Sequence, residues 1–319
     1  MNLNLTSAEQ WQSIIAMVLY IVVVLVVGVI FMKRANKSSG DFFLGGRKLG
    51  PWVAAMSAEA SDMSGWLLLG LPGLVYFAGV SEAAWTAIGL AIGTYLNWLI
   101  VSKRLRKYSA KVHAITLPEF FSNRFHDTKH VVSSIAALII LAFFSIYVGS
   151  CFATCGKLFH LMFNFDYFTM MVVGAVFVFA YTLLGGFLAE STTDFIQGTL
   201  MFFALLIVMI GGVVHVGGID NVVSALQGYD GYFDLFGITS TQVVDGALVY
   251  GDATSRLTST GIVGILSLLA WGLGYFGMPQ VLLRFMAIRK PSELRKSRVI
   301  AIVWCVISMA AAIFIGVIG

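Results

Sequence analysis

Two carboxylates, Glu59 and Asp62, stand among Ser57, Ser61, Ser64 and Gly65 in the run SAEASDMSGW (57–66), inside a segment otherwise apolar enough to cross a membrane. An ionised Asp at the centre of a spanning helix costs ~2.5–3.5 kcal/mol. If Pro51 opens the span, a rise of ~1.5 Å per residue puts Asp62 about 16 Å in, near the middle of a ~30 Å hydrocarbon core. An acid at that depth, beside a glycine that can loosen the helix, suits a cation or solute site. The rival reading is a protonated or paired structural acid. An unwound turn at Gly65 would free backbone carbonyls, which suit a hard monovalent cation. In an unbroken helix Ser57, Ser61 and Ser64 share one face, and Glu59, Asp62 and Trp66 share roughly the opposite one. Glu59 lies only about 12 Å in, so it either joins the site or reaches cytoplasmic water.

A second segment is interrupted in the same manner: AWGLGYFGMP (270–279) carries three glycines and Pro279. Between those glycines Trp271 and Tyr275 are one helical turn apart, which predicts an aromatic wall with a polar tip for a small zwitterion, or simple helix packing. The two interrupted segments are five spans apart and enter from opposite sides, the pattern of an inverted five-helix repeat broken around a midplane site. Taken alone, Tyr147 in FFSIYVGS reads as a packed tyrosine with a satisfied hydroxyl. Arg47 alone reads as one more cytoplasmic charge.

These residues need membrane helices to hold them. Hydrophobic residues make up 59% of the 319 and charged residues 11%, too apolar for a soluble core. Hydropathy predicts eight spans, at 11–32, 51–78, 83–101, 131–153, 167–187, 195–216, 259–283 and 299–319, in a single transmembrane domain. The first lacks a basic leader and a cleavage pattern, so it reads as a retained anchor rather than a signal peptide. Of the 20 basic residues, 18 follow the first, third and seventh spans, including Arg106 and Arg284. If the spans alternate, that side is cytoplasmic and the N-terminus is outside. The basic residues thus answer to topology and not to nucleic acid. Glu190 and Asp194 fall in the loop after the fifth span. Segment 217–258, with Asp220, Asp230, Asp234, Asp245 and Asp252, reads as a solvated extracellular loop, its spacing unlike a calcium loop. Residues 116–130 form either a helix at the membrane surface or a polar connection. Cys151, Cys155 and Cys305 read as apolar fillers. No enzyme signature is present: there is no HExxH, GxSxG or Walker A motif, and the histidines lie in or near loops or at a span end.

The run FFLGGRKLGPWVAAMSAEASDMSGWLLLGLPG (42–73), with TLPEFFSNRF, FFSIYVGS, LLGGFLAESTTDFIQG and AWGLGYFGMPQVLLRFM, resembles the sodium/solute symporter family, most closely its proline-carrying bacterial members. The similarity runs from the first span to Gly319. It implies an all-α integral membrane protein of the LeuT type: two inverted five-helix repeats after one extra helix, the second repeat incomplete in this chain. It implies sodium-coupled symport of L-proline by alternating access in the bacterial inner membrane, with no cofactor beyond the coupling ion. Another small solute, or a transporter-like sensory module, is the alternative. By this resemblance Asp62 and the carbonyls of Ala60 and Met63 hold sodium. Ser64, Gly65, Trp66, Tyr147, Trp271, Tyr275 and Pro279 line the proline pocket, and Arg47 and Asp194 serve coupling. Glu59 stands where relatives often carry a small residue. The hydroxyl pair that completes the family's sodium site is expected beyond Gly319.

Overall fold

Lipid offers no hydrogen bonds, so apolar stretches of this length become helices that satisfy their own backbones. A computed structural model describes residues 7–244 and 247–319. Its helices are α1 (Ser7–Ala35), α2 (Ser39–Leu44), α3 (Pro51–Gly65), α4 (Leu71–Ala78), α5 (Val80–Leu96), α6 (Ser102–Lys111), α7 (Leu117–Arg124), α8 (Val131–Phe163), α9 (Tyr167–Val216), α10 (Ile219–Leu226), α11 (Ser259–Ala270), α12 (Pro279–Ala287) and α13 (Leu294–Ile318). Strands β1 (Gly237–Val244) and β2 (Ala247–Ser255) form an antiparallel hairpin. Among the described residues, six helical stretches are long and apolar enough to cross a membrane. Leucines, isoleucines and valines, with Phe143, crowd the exposed face of α8, a surface suited to lipid and not to water.

Several expected boundaries shift. The helix that carries the third predicted span runs on past residue 101. It passes through a π-helical turn, Asn97–Val101, into α6, so the basic residues 103–111 extend the helix. Residues 188–194 are not a loop. α9 continues through them after a break at Gly186, where φ is 56° and ψ −158°. A side chain there would meet both that left-handed backbone and the Phe42 carbonyl 2.9 Å away. Within 116–130, α7 begins at a cap: Thr116 accepts from the Glu119 amide, and Glu119 reaches back to the Ile115 amide at 2.8 Å.

The chain divides into two compact units. One comprises the chain up to Ser57, Arg104–Ile196 and Leu282–Glu293; the other comprises Ala58–Lys103, Gln197–Val281 and Leu294–Gly319. The polypeptide passes from one to the other inside both interrupted segments, after Ser57 in α3 and after Val281 in α12.

In the second unit α5 packs against α11, α13 and the 3-10 turns of Trp271–Phe276. Gly89 and Gly93 face the backbone of Leu269 and Gly272, and a Cβ at Gly89 would lie 2.6 Å from the Leu269 carbonyl oxygen. Close backbone approach through small residues is how membrane helices gain contact without a hydrophobic driving force. Gly272→Val is therefore expected to cost at least ~1–3 kcal/mol of overpacking, read as lower melting temperature and membrane abundance. Wild-type melting in detergent would refute the close approach.

The expected loop 217–258 is structured. Tyr232 donates to the Val75 carbonyl at 3.2 Å, and Ser81 and Trp85 both donate to the Leu235 carbonyl at 2.8 Å. Arg256 pairs with Glu82 at 2.9 Å. Ile238, Val243, Val244, Val249 and Tyr250 favour strands, but the aspartates and glycines around them mask that signal in the sequence. Asp245 lies outside the described residues, as does the side chain of Asp252.

Candidate substrate and ion site

The interruption in α3 falls one residue earlier than expected. Ser64, not Gly65, leaves the helical region, with φ 34° and ψ −161°, while Gly65 is right-handed helical. A non-glycine residue in that region is strained, and such strain gathers at functional sites. A π-helical turn, Trp66–Gly70, then leads into α4. The turn that precedes the break comprises residues 60–63. It includes Ala60 and Met63, and Met63 is buried. Asp62 is half-buried and within hydrogen-bonding reach of the Tyr275 hydroxyl. Glu59 does not reach water. It is 3% exposed and accepts from the Trp98 indole at 3.2 Å, while its other oxygen, Oε2, is buried without a hydrogen-bond partner.

The second interruption corrects the aromatic wall. Trp271 and Tyr275 sit in 3-10 turns, where a spacing of four rotates side chains apart by about 120° instead of stacking them. Tyr275 turns inward, 4% exposed, toward Asp62, while Trp271 is 51% exposed and its ring lies 5.1 Å from that of Trp66. The Tyr275 carbonyl accepts from the side-chain amide of Asn97 (Nδ2) at 2.8 Å. Pro279 opens α12, where a missing amide hydrogen costs nothing. Asp62, Ser64, Gly65, Trp66, Trp271, Tyr275 and Pro279 thus share one unit. Tyr147 belongs to the other, half-buried on α8 with its ring 5.7 Å from that of Phe144.

That first unit holds two polar clusters. Arg284, expected as a loop charge, is 2% exposed. It donates to Asp194 at 2.8 Å, to Glu190 at 3.0 Å and to Ser57 at 2.9 Å, and lies over the Phe187 ring. Ser57 donates in turn to Asp194 at 2.7 Å. Asp194 is therefore half of a buried ion pair rather than a loop acid.

Arg47 sits in a turn of successive left-handed residues, Gly45, Gly46 and Arg47 itself. Its guanidinium donates to the carbonyls of Met286 at 2.8 Å, Ser109 at 3.1 Å and Ala114 at 2.7 Å, and to the Ser109 hydroxyl at 3.1 Å. Burial, and then the charge of Arg106, hold Arg47 below its ordinary value, with Glu119 acting against both. A guanidinium in such a setting remains charged at neutral pH. The sequence alone does not single out Glu190, Arg284, Arg106, Asn97 or Trp98. Charge counting filed the arginines under topology. The one available signal was the spacing of four between Glu190 and Asp194, which puts both acids on one helical face.

Two helices interrupted around an acid in the midst of apolar spans are the arrangement on which many secondary transporters are built. The chain belongs to the sodium:solute symporter family, whose model matches residues 42–319. Across 97% of its length it is 40% identical to sodium/proline symporter 2 of Staphylococcus saprophyticus. It is 38% identical, over the same share, to the sodium/proline symporter of Staphylococcus aureus. The chain spans 56% of each of these relatives. A Na+-coupled sialic acid symporter, solved substrate-bound and outward-open, has a similar fold at a TM-score of 0.75 and 20% identity, covering 94% of this chain and 59% of that one. The all-helical membrane class expected from the sequence is thus found, with the hairpin as an addition.

Proposed function

We propose that the chain forms the part of a sodium/proline symporter that carries the interrupted helices, with sodium gradient and membrane potential driving uptake into a bacterial cell. The observation that carries this reading is Asp62 at the break of α3, facing the Tyr275 hydroxyl of the second interrupted segment. Sodium is the cargo ion, held by the Asp62 carboxylate with the Ala60 and Met63 carbonyls, an all-oxygen set suited to a hard cation. Proline is held by Ser64, Gly65, Trp66, Tyr147, Trp271, Tyr275 and Pro279, the aromatics covering its ring and the loosened turn its charged groups. Arg47 and Asp194 serve coupling. The eight spans, the inner membrane and an external N-terminus complete the reading. The membrane potential supplies ~2.3 kcal/mol per charge at ~100 mV, or roughly 50-fold accumulation.

The test is uptake of labelled proline into membrane vesicles carrying the complete reading frame, with and without an inward sodium gradient. Uptake indifferent to sodium, or absent for proline, overturns the reading. Trp271→Ala and Tyr275→Ala are expected to raise half-saturating proline about 5- to 150-fold, the loss of ~1–3 kcal/mol of pocket contact. Tyr275→Ala also removes a hydroxyl from Asp62, so half-saturating sodium should rise in that variant and not in Trp271→Ala. Unchanged proline affinity in both would return them to helix packing.

A further inference from the structure

The last carbonyls of a helix have no intrahelical partners. At the end of α12 four consecutive carbonyls are nevertheless all engaged. Arg47 takes that of Met286 at 2.8 Å, and the Leu49 amide takes that of Ala287 at 3.2 Å. Arg106 takes that of Ile288 through Nε at 2.6 Å and that of Arg289 through a terminal nitrogen at 3.2 Å. The Arg289 amide returns to the Leu49 carbonyl at 3.0 Å, closing a parallel β-bridge between Leu49 and Ile288. Leu49 precedes α3 by two residues and Ile288 follows α12 directly. Arg106 is 8% exposed, although it stands in a run of otherwise exposed basic residues. Two cations at a helix C-terminus also face the negative end of its dipole.

We infer that Arg106 is a second positioning arginine: from α6 it holds the end of α12 in place for the bridge to the turn ahead of α3, which Arg47 clasps directly, so that these ends of the two interrupted segments move as one piece. The inference rests on the symporter reading, in which ion and solute are coupled only if both interrupted helices respond together. The chain's division agrees with it: residues up to Ser57 and residues 282–293 fall in the same compact unit, while the remainder of both interrupted segments falls in the other. A guanidinium is suited to the task because its fixed fork serves two carbonyls at once, which an ammonium does not reproduce.

The experiment uses the complete reading frame. Arg106→Met is expected to lower sodium-driven proline uptake about tenfold at equal membrane abundance, with half-saturating sodium raised and half-saturating proline little changed. Arg106→Lys should retain an intermediate rate. A covalent replacement for the clasp separates positioning from mere packing. With Cys151, Cys155 and Cys305 changed to Ala, Leu49→Cys and Ile288→Cys place two thiols across the bridge, where a spacing of ~4.8 Å suits a disulfide. Oxidation should restore at least half of the uptake lost in Arg106→Met and leave uptake intact when both arginines are present. Wild-type uptake in Arg106→Met, failure of the disulfide to form or to rescue, or arrest of transport by the disulfide beside intact arginines would each overturn the inference.

A second arm needs no solute. In purified protein the Leu49 and Arg289 amides should exchange with deuterium about tenfold faster in Arg106→Met than in the parent, equally with and without sodium. Unchanged exchange, or opening of the bridge on adding sodium, would overturn the clasp. If Arg106→Met does not reach the membrane, Arg106→Lys carries the same measurement. Absence of proline uptake in the parent chain would count against the proposed cargo alone, since the exchange arm still reports on the clasp.

Discussion

Asp62→Asn in the complete reading frame is expected to abolish most sodium activation, lowering uptake at limiting sodium about 100-fold while leaving membrane insertion intact, a change worth ~2.7 kcal/mol. The carboxylate stands half-buried where α3 breaks, with the Tyr275 hydroxyl as its partner. A charge so placed is costly unless a counter-ion offsets it. The amide keeps shape and hydrogen bonding but removes the charge that a cation would neutralise. Insertion should survive because the substitution lowers the cost of placing residue 62 in the bilayer. The check is a sodium titration of proline uptake, and a titration curve like that of the parent would remove Asp62 from the ion site.

Arg284→Met is expected to produce the largest stability loss, about 3–5 kcal/mol, because breaking a buried pair strands its partner's charge. Arg284 is almost wholly buried and donates to Asp194, Glu190 and Ser57. Asp194 would lose its buried cation, whereas Glu190, more than a third exposed, would be partly rescued by water and contributes less. The measurements are membrane abundance and melting in detergent. A companion variant, Arg284→Met with Asp194→Asn and Glu190→Gln, should recover much of the loss, since it leaves no unpaired charge. If the single variant melted like the parent, or the triple variant no better than the single, the ion pair would not be holding α12 to α9.

The interruptions are legible in the sequence because they break a rule that acts on each segment alone. In lipid every backbone group needs a partner within its own helix, so Gly, Pro and Asp62 in the midst of an apolar run announce themselves. The same rule is what the other predicted spans rest on. What the sequence could not carry is which distant residue answers which. Arg47 meets the Met286 carbonyl across 239 positions, Ser57 meets Asp194 across 137, and Asn97 meets Tyr275 across 178. Nothing local distinguishes Arg106 from the exposed lysines and arginines around it, or Arg284 from a loop charge; burial among facing helices does. Tertiary structure also decided the direction of Tyr275 and Trp271, since a spacing of four aligns side chains only in an α-helix, and close approach of Gly272 to Gly89 and Gly93 accompanies 3-10 turns there. It moved the break in α3 from Gly65 to Ser64, a position that intrinsic preference would have passed over and that only the surrounding packing holds.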